Sequence, residues 1–172
     1  SRLKRNKERM TEANIKKVAL VGGGIIGGGW ATRCLANGLE VFLTDPRPEA
    51  RDYVETMVAN AWPVLEDAGL LSENKGKLHF VQDIAEAVQD ADFVQENVPE
   101  REELKSSVHE EISQHAREDV VIASSSSGLL PSRLQARCAY PERLMIGHPF
   151  APVYLLPLVE IVGSEQTSQT AI

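Results

Sequence analysis

Lys17-Val18-Ala19-Leu20-Val21-Gly22-Gly23-Gly24-Ile25-Ile26-Gly27 runs an apolar segment directly into G-x-G-x-x-G. A helical pattern follows. A second apolar run, Glu40-Val41-Phe42-Leu43-Thr44, then ends on Asp45. Strand, glycine turn, helix, strand and terminal acid in that order define a dinucleotide-binding βαβ unit. Gly22 permits the tight turn out of the strand. Gly24 lets the backbone approach a pyrophosphate, and Gly27 lets the helix pack close to the sheet. Ile25, Ile26 and Gly27 make the first helical turn, where free N–H groups and the positive end of the helix dipole face the phosphates. Asp45 stands at about the 20-residue distance expected of the acid that holds the ribose hydroxyls. Its charge opposes a 2′-phosphate, so NAD rather than NADP is the expected cofactor. Arg47 is read as a solvated loop charge, with a 2′-phosphate contact as the alternative. Gly23, Gly28 and Gly29 are read as turn and packing residues.

The rest of the chain extends this unit into a larger sheet. The first helix is expected from about Ile25 to Asn37, with Gly38 as its C-cap. Pro48 opens a helical stretch toward Ala68, which Pro63 should kink or split. Strands are expected at Lys77–Val81, Asp92–Glu96 and Val120–Ala123. Two further strands follow at Leu144–Gly147 and Leu158–Val162. Asp83 and Glu86 form a capping box for a short helix, Ile84–Val88. Another helix runs from about Arg101 to Ala116, and one more is expected to begin at Thr167. Alternation of strand and helix implies a Rossmann-type α/β fold, a doubly wound, mostly parallel sheet with helices on both faces.

Composition narrows the partners. The 172 residues carry a net charge of −7, with 42% hydrophobic and 25% charged residues. That suits one soluble domain and argues against nucleic acid or an anionic membrane as a partner. No apolar run approaches the roughly 18 residues of a membrane span. The two cysteines, Cys34 and Cys138, have neither metal nor redox spacing, so no metal site is expected, and reduced thiols point to the cytoplasm. Residues 1–14 open on a basic polar tract, Ser1 to Arg9, ahead of Met10. They are read as a disordered leader or vector-derived extension, with a short targeting peptide as the alternative. The dinucleotide domain is assigned to 15–172.

In such sheets ligands bind beyond the carboxyl ends of the strands. Three segments lie there: Ser124-Ser125-Ser126-Ser127-Gly128, His148-Pro149-Phe150-Ala151-Pro152, and Glu160 within an apolar strand. A buried acid must be paired, and His148 is the available partner. Removing hydride from a secondary alcohol requires an acceptor for the hydroxyl proton, a task suited to histidine. A carboxylate on its second nitrogen fixes the tautomer, and a serine hydroxyl positions the substrate oxygen. Ser127, His148 and Glu160 are thus the candidate constellation. A solvated serine loop, a capping histidine and a surface glutamate are the alternative readings. His79, His109 and His115 receive no role.

GGGIIGGGW, the Asp45 strand end, VQENVPE with Glu96 and Glu100, ASSSSGL and GHPFAPVYLLPLVEIV together resemble the NAD-binding domain of the L-3-hydroxyacyl-CoA dehydrogenase superfamily. The resemblance covers about Lys16 to Ile172. SGLLPSRLQ and HPFAPVYLLPLVE are most similar to its carnitine-oxidising branch. The resemblance implies NAD-dependent oxidation of a 3-hydroxy substrate, L-carnitine to 3-dehydrocarnitine being favoured. Rival substrates in the class are 3-hydroxyacyl-CoA and L-gulonate, and a dinucleotide-binding module without turnover is the reading from another class. It implies that His148 is the catalytic base, Glu160 its orienting partner and Ser127 a contact to the substrate oxygen. Ser125 or Ser126 would line the nicotinamide pocket, and Glu96 would lie near the cofactor. A small-molecule substrate and a homodimer of the full-length enzyme follow from it. Two departures stand out. Ala151 replaces the asparagine usual after the aromatic of the H-x-F motif. Relatives also carry a second, helical domain with dimer contacts, a pocket wall and a further catalytic-site asparagine. The chain ends where that domain should begin, so it is read as a fragment.

Overall fold

β1 (Lys17–Val21) alternates its side chains between two separate cores. Val18 and Leu20 join Val41 and Leu43 of β2 (Glu40–Thr44) against Ala31, Cys34 and Leu35 of α1 (Ile25–Ala36) and Val54 and Val58 of α2 (Ala50–Asp67). Ala19 and Val21 point the other way. They meet Ala87 and Val88 of α3 (Ile84–Val88), Val108 and Ile112 of α4 (Glu102–His115) and Leu134 of α5 (Pro131–Leu134). Period-two alternation of apolar residues on a central strand requires cover on both faces, and the helices supply it.

The computed structural model describes residues 14–172. The remaining strands are β3 (Leu78–Phe80), β4 (Phe93–Glu96), β5 (Val121–Ser124), β6 (Leu144–Pro149) and β7 (Val159–Val162), and a 3₁₀ turn (Pro141–Arg143) precedes β6. They form one sheet in the order β3-β2-β1-β4-β5-β6-β7. β1 to β6 pair in parallel, and β7 closes the sheet antiparallel to β6. The strand order reverses between β1 and β4. That switch point opens the crevice in which a ligand sits in sheets of this kind. The leader assigned to residues 1–14 lies, Asn14 aside, outside the described residues.

Several local expectations need adjustment. Pro63 does not split α2, which continues to Asp67. Its missing N–H costs one helical hydrogen bond, while Val54, Val58, Ala61 and Leu65 keep a continuous buried face on both sides of it. Asp83 does cap α3, accepting from the Glu86 amide at 2.8 Å, but the Glu86 carboxylate reaches back to the Gln82 amide rather than that of Asp83. No helix begins at Thr167. Its hydroxyl donates to the Leu144 carbonyl at 2.8 Å and accepts from the Ser164 amide, and such side-chain bonds compete with a helical ladder. Among the described residues no helix is long and apolar enough to cross a membrane.

Candidate active site

The glycine turn leaves space only where a ligand needs it. Gly22 has φ +100°, and a Cβ there would lie 2.7 Å from the Asn97 carbonyl oxygen. A Cβ on Gly27 would lie 1.9 Å from the Gly22 carbonyl oxygen, so α1 and the turn touch backbone to backbone. Above Gly24 the nearest atom is Arg47 Nη2 at 4.0 Å. Gly24 is also the N-cap of α1 and supplies no side-chain cap. The first-turn amides at Ile25, Ile26 and Gly27 thus face an open cradle that a pyrophosphate fits. Ile25 is exposed beside it. Gly28 and Gly29 pack against Met57 and Val153.

Asp45 follows β2 and turns its carboxylate back to this cradle. Oδ2 accepts from the Gly23 amide at 2.8 Å and from Arg47 Nη2 at 2.8 Å. Oδ1 accepts from the Arg47 amide at 2.9 Å and Arg47 Nε at 3.0 Å. Burial alone would raise the Asp45 carboxyl. The Arg47 guanidinium and the Gly23 amide outweigh that and hold it below the usual carboxylate range. Arg47 is an exposed loop charge, as expected, with half of its side chain in solvent. It also forms a two-point pair with Asp45 that no local sequence pattern announces. Both residues line a cavity of about 240 Å³ with Arg51, Phe80, Val81 and Gln82.

Across the switch point, Glu96 ends β4 wholly buried. Oε1 accepts from Lys105 Nζ at 2.7 Å and the Val98 amide at 2.8 Å, and Oε2 accepts from Ser124 Oγ at 2.5 Å. His109 Nε2 lies 3.0 Å from Oε2. Burial pushes this carboxyl up, but His109 and Lys105 outweigh it and hold it low. Every acceptor position of the Glu96 side chain is thus engaged by groups of the protein itself, at the end of the strand that borders the switch point. Glu100, four residues on, is the acid at the crevice. Its side chain is 43% exposed, lies 3.5 Å from Lys105 Nζ and accepts from Ser126 Oγ.

The serine loop divides its hydroxyls. Ser124 and Ser126 are buried and bind Glu96 and Glu100. Ser125 accepts from Gln95 Nε2 at 2.8 Å and donates to Asn97 Oδ1 at 2.6 Å. Gln95 Nε2 also donates to the Gly147 carbonyl at 2.9 Å, tying β4 to β6 beneath the loop. Ser127 is exposed at the loop tip.

His148 lies within β6, not in the loop after it, and faces Glu160 of β7 directly across the antiparallel pair. His148 Nδ1 is 3.1 Å from Glu160 Oε2. The Glu160 side chain is 62% exposed and that of His148 25%. The expectation of a buried Glu160 is thus corrected, since β7 is an edge strand with both faces exposed. Its pairing with His148 is nonetheless made. Phe150 stands edge-on to the imidazole with ring centroids 5.4 Å apart. Since β5 and β6 are parallel neighbours with Ser124 opposite Ile146, the Ser127 loop and His148 lie at the same, carboxyl end of these strands. Arg51, Gln95 and Asn97 escaped the sequence reading, because their partners are remote or carry no motif.

A sheet of this order, with a glycine cradle and an acid at its second strand, defines a dinucleotide-binding Rossmann domain. The chain belongs to the 3-hydroxyacyl-CoA dehydrogenase, NAD binding domain family, whose model matches residues 17–172. It is 52% identical over 159 residues to an L-carnitine dehydrogenase of Burkholderia mallei, covering 92% of this chain and 50% of that protein. It is 49% identical over 164 residues to an L-carnitine dehydrogenase of Bacillus cereus, covering 95% of this chain and 50% of that protein. The chain therefore spans about half the length of the curated relatives it matches. Among solved structures, 5-formyl-3-hydroxy-2-methylpyridine 4-carboxylic acid 5-dehydrogenase, an NAD+ dependent dismutase, superposes with a TM-score of 0.84 at 35% identity, covering 91% of this chain and 52% of that one. (S)-3-hydroxybutyryl-CoA dehydrogenase from Ralstonia eutropha gives 0.82 at 28% identity, covering 92% and 57%.

Proposed function

We propose that this chain is the cofactor-binding half of an NAD-dependent 3-hydroxy dehydrogenase that oxidises L-carnitine to 3-dehydrocarnitine. The observation that carries the reading is the His148–Glu160 pair, set at the same strand ends as the serine loop. NAD bound in the glycine cradle supplies the hydride acceptor. Gly22, Gly24, Ile25, Ile26 and Gly27 hold the pyrophosphate, Asp45 the ribose, and Ser125 stands near the nicotinamide end. Glu160 holds Nδ1 of His148, which leaves Nε2 to take the hydroxyl proton of the alcohol. Ser127 donates to the same substrate oxygen. The reaction balances as loss of one hydride from the carbinol carbon and one proton from its hydroxyl.

Leu156, Leu158, Val159, Ile161 and Val162 are exposed beside this pair. That supports a pocket completed by a second half, as the doubled length of the relatives suggests, in a cytoplasmic homodimer. Identity near 50% to L-carnitine dehydrogenases, against 28% to the hydroxybutyryl-CoA enzyme, favours carnitine. Steady-state kinetics of the full-length parent with NAD on L-carnitine, 3-hydroxybutyryl-CoA and L-gulonate test this. The highest kcat/KM is expected on L-carnitine. A higher value on the CoA thioester overturns the substrate, and NAD binding without turnover on any of the three overturns the enzyme.

A further inference from the structure

The diphosphate of a dinucleotide is anionic, and the chain already carries a net charge of −7. Asp45 makes its approach harder, because Oδ2 accepts from the Gly23 amide at 2.8 Å and so stands against the glycine turn. Residues 22–29 contain no lysine or arginine. Backbone amides and the helix dipole are the turn's own means of holding phosphate. The cation beside it is Arg47. Its Nη2, at 4.0 Å, is the nearest atom to a Cβ placed on Gly24, the glycine that lets the backbone approach the pyrophosphate. Arg47 uses Nε and one Nη2 donor on Asp45, leaving three of its five N–H donors free. Half of its side chain is exposed. An ion pair this open to water is held weakly, so changing partners costs little. Arg51, the other guanidinium lining the cavity beside Asp45, is engaged elsewhere, over the Phe80 ring at 4.7 Å and 4.0 Å from Glu55.

We propose that Arg47 is a diphosphate-binding residue, which passes from Asp45 to the phosphates of NAD when the cofactor binds. The inference rests on the reading of the cleft as a dinucleotide site. The ribose hydroxyls take the acceptor positions that the guanidinium leaves. Asp45 therefore keeps its place and its opposition to a 2′-phosphate. The guanidinium, released beside Gly24, presents its planar fork to the phosphate oxygens, a two-point contact that lysine cannot reproduce. Before the cofactor arrives Arg47 neutralises the carboxylate, and afterwards it neutralises the phosphates. The carboxylate and the diphosphate are thus never side by side without a cation.

Displacement of NADH from the 172-residue chain by ADP-ribose and by adenosine, followed by NADH fluorescence, tests this. Both competitors carry the adenosine ribose hydroxyls, and only ADP-ribose carries the diphosphate. Arg47→Ala is expected to weaken ADP-ribose by about tenfold or more, the scale of a charge-assisted hydrogen bond. Adenosine should bind it as well as the wild type or more tightly, since Asp45 is then free for the hydroxyls. Arg47→Lys should recover part of the ADP-ribose affinity as a point charge. Added salt should narrow the gap between wild type and Arg47→Ala for ADP-ribose. Equal losses for the two competitors would put Arg47 on the adenosine instead and overturn the proposal, as would an unchanged ADP-ribose affinity in Arg47→Ala. Failure of the wild type to bind NADH overturns the cleft reading and this inference with it.

Discussion

Nδ1 of His148 and Oε2 of Glu160 are 3.1 Å apart because their residues are direct cross-strand partners in the β6–β7 ladder. The pairing is a property of register. A slip of one residue would turn the carboxylate to the opposite face. In the full-length enzyme, His148→Gln is expected to lower kcat by about 10²–10⁴, the range for a general base. NAD affinity should be unchanged, since the pair lies apart from the glycine cradle. Glu160→Gln should lower kcat less, because the amide still reaches the ring. Wild-type turnover in His148→Gln would remove the histidine from the chemistry.

Asp45→Ala is expected to weaken NAD binding by tenfold or more. Two hydrogen bonds to a charged acceptor are lost, at about 1.5–3 kcal/mol each, partly offset because Arg47 no longer has to be displaced. Titration of the variant beside the wild type reads this directly. An unchanged Kd would mean that the ribose is held elsewhere.

Glu96→Gln should destabilise the fold by about 3–5 kcal/mol at neutral pH, since it leaves Lys105 buried beside a neutral amide. The wild-type carboxyl sits below its unfolded range near 4. Its stabilising contribution is therefore complete above that range and is lost as pH falls through the lowered folded value. Urea denaturation at several pH values should show the gap between wild type and variant closing in acid. A gap constant down to the most acidic condition would contradict the account.

Gly27→Ala places a methyl group 1.9 Å from the Gly22 carbonyl oxygen, with backbone on both sides of the contact. The cost is expected to be about 1–3 kcal/mol, with NAD binding lost as α1 moves off the cradle. Gly24→Ala meets only Arg47 Nη2 at 4.0 Å and should fold normally while weakening NAD. Thermal unfolding and titration on the two variants separate packing from binding, and equal melting temperatures would contradict the contrast.

The chain by itself is expected to bind NAD yet turn over far more slowly than its full-length parent. His148 and Glu160 stand on a surface open to water, where an alcohol is neither held nor shielded. Equal turnover at equal concentration would show that these residues suffice alone.

The cradle was legible because it is local. Turn, first helical residues and terminal acid lie within one βαβ unit, and their spacing encodes their contacts. The His148–Glu160 pair was legible as chemistry but misplaced in depth. An apolar run such as Leu158–Val162 reads as buried, and only the strand order reveals that β7 is the outermost strand. Glu96 and Glu100 are alike in sequence. Their separation into a buried acid and an exposed one comes from Lys105, His109 and Ser124, which reach Glu96 from other elements. Arg47 shows the same limit, since nothing in D-P-R states that the arginine folds back on the aspartate.

β7 has a single neighbour in the sheet, and all four of its residues are exposed. β6 pairs with β5 only over Leu144–Ile146, so His148 and Glu160 share a ladder whose outer side is open. Local opening is cheapest where backbone bonds are few and solvated. The His148–Glu160 pair is therefore expected to form and open with the docking of these four residues, while the cofactor cradle on β1 stays intact. Amide exchange along β7 would report on the integrity of this pair without any substrate present.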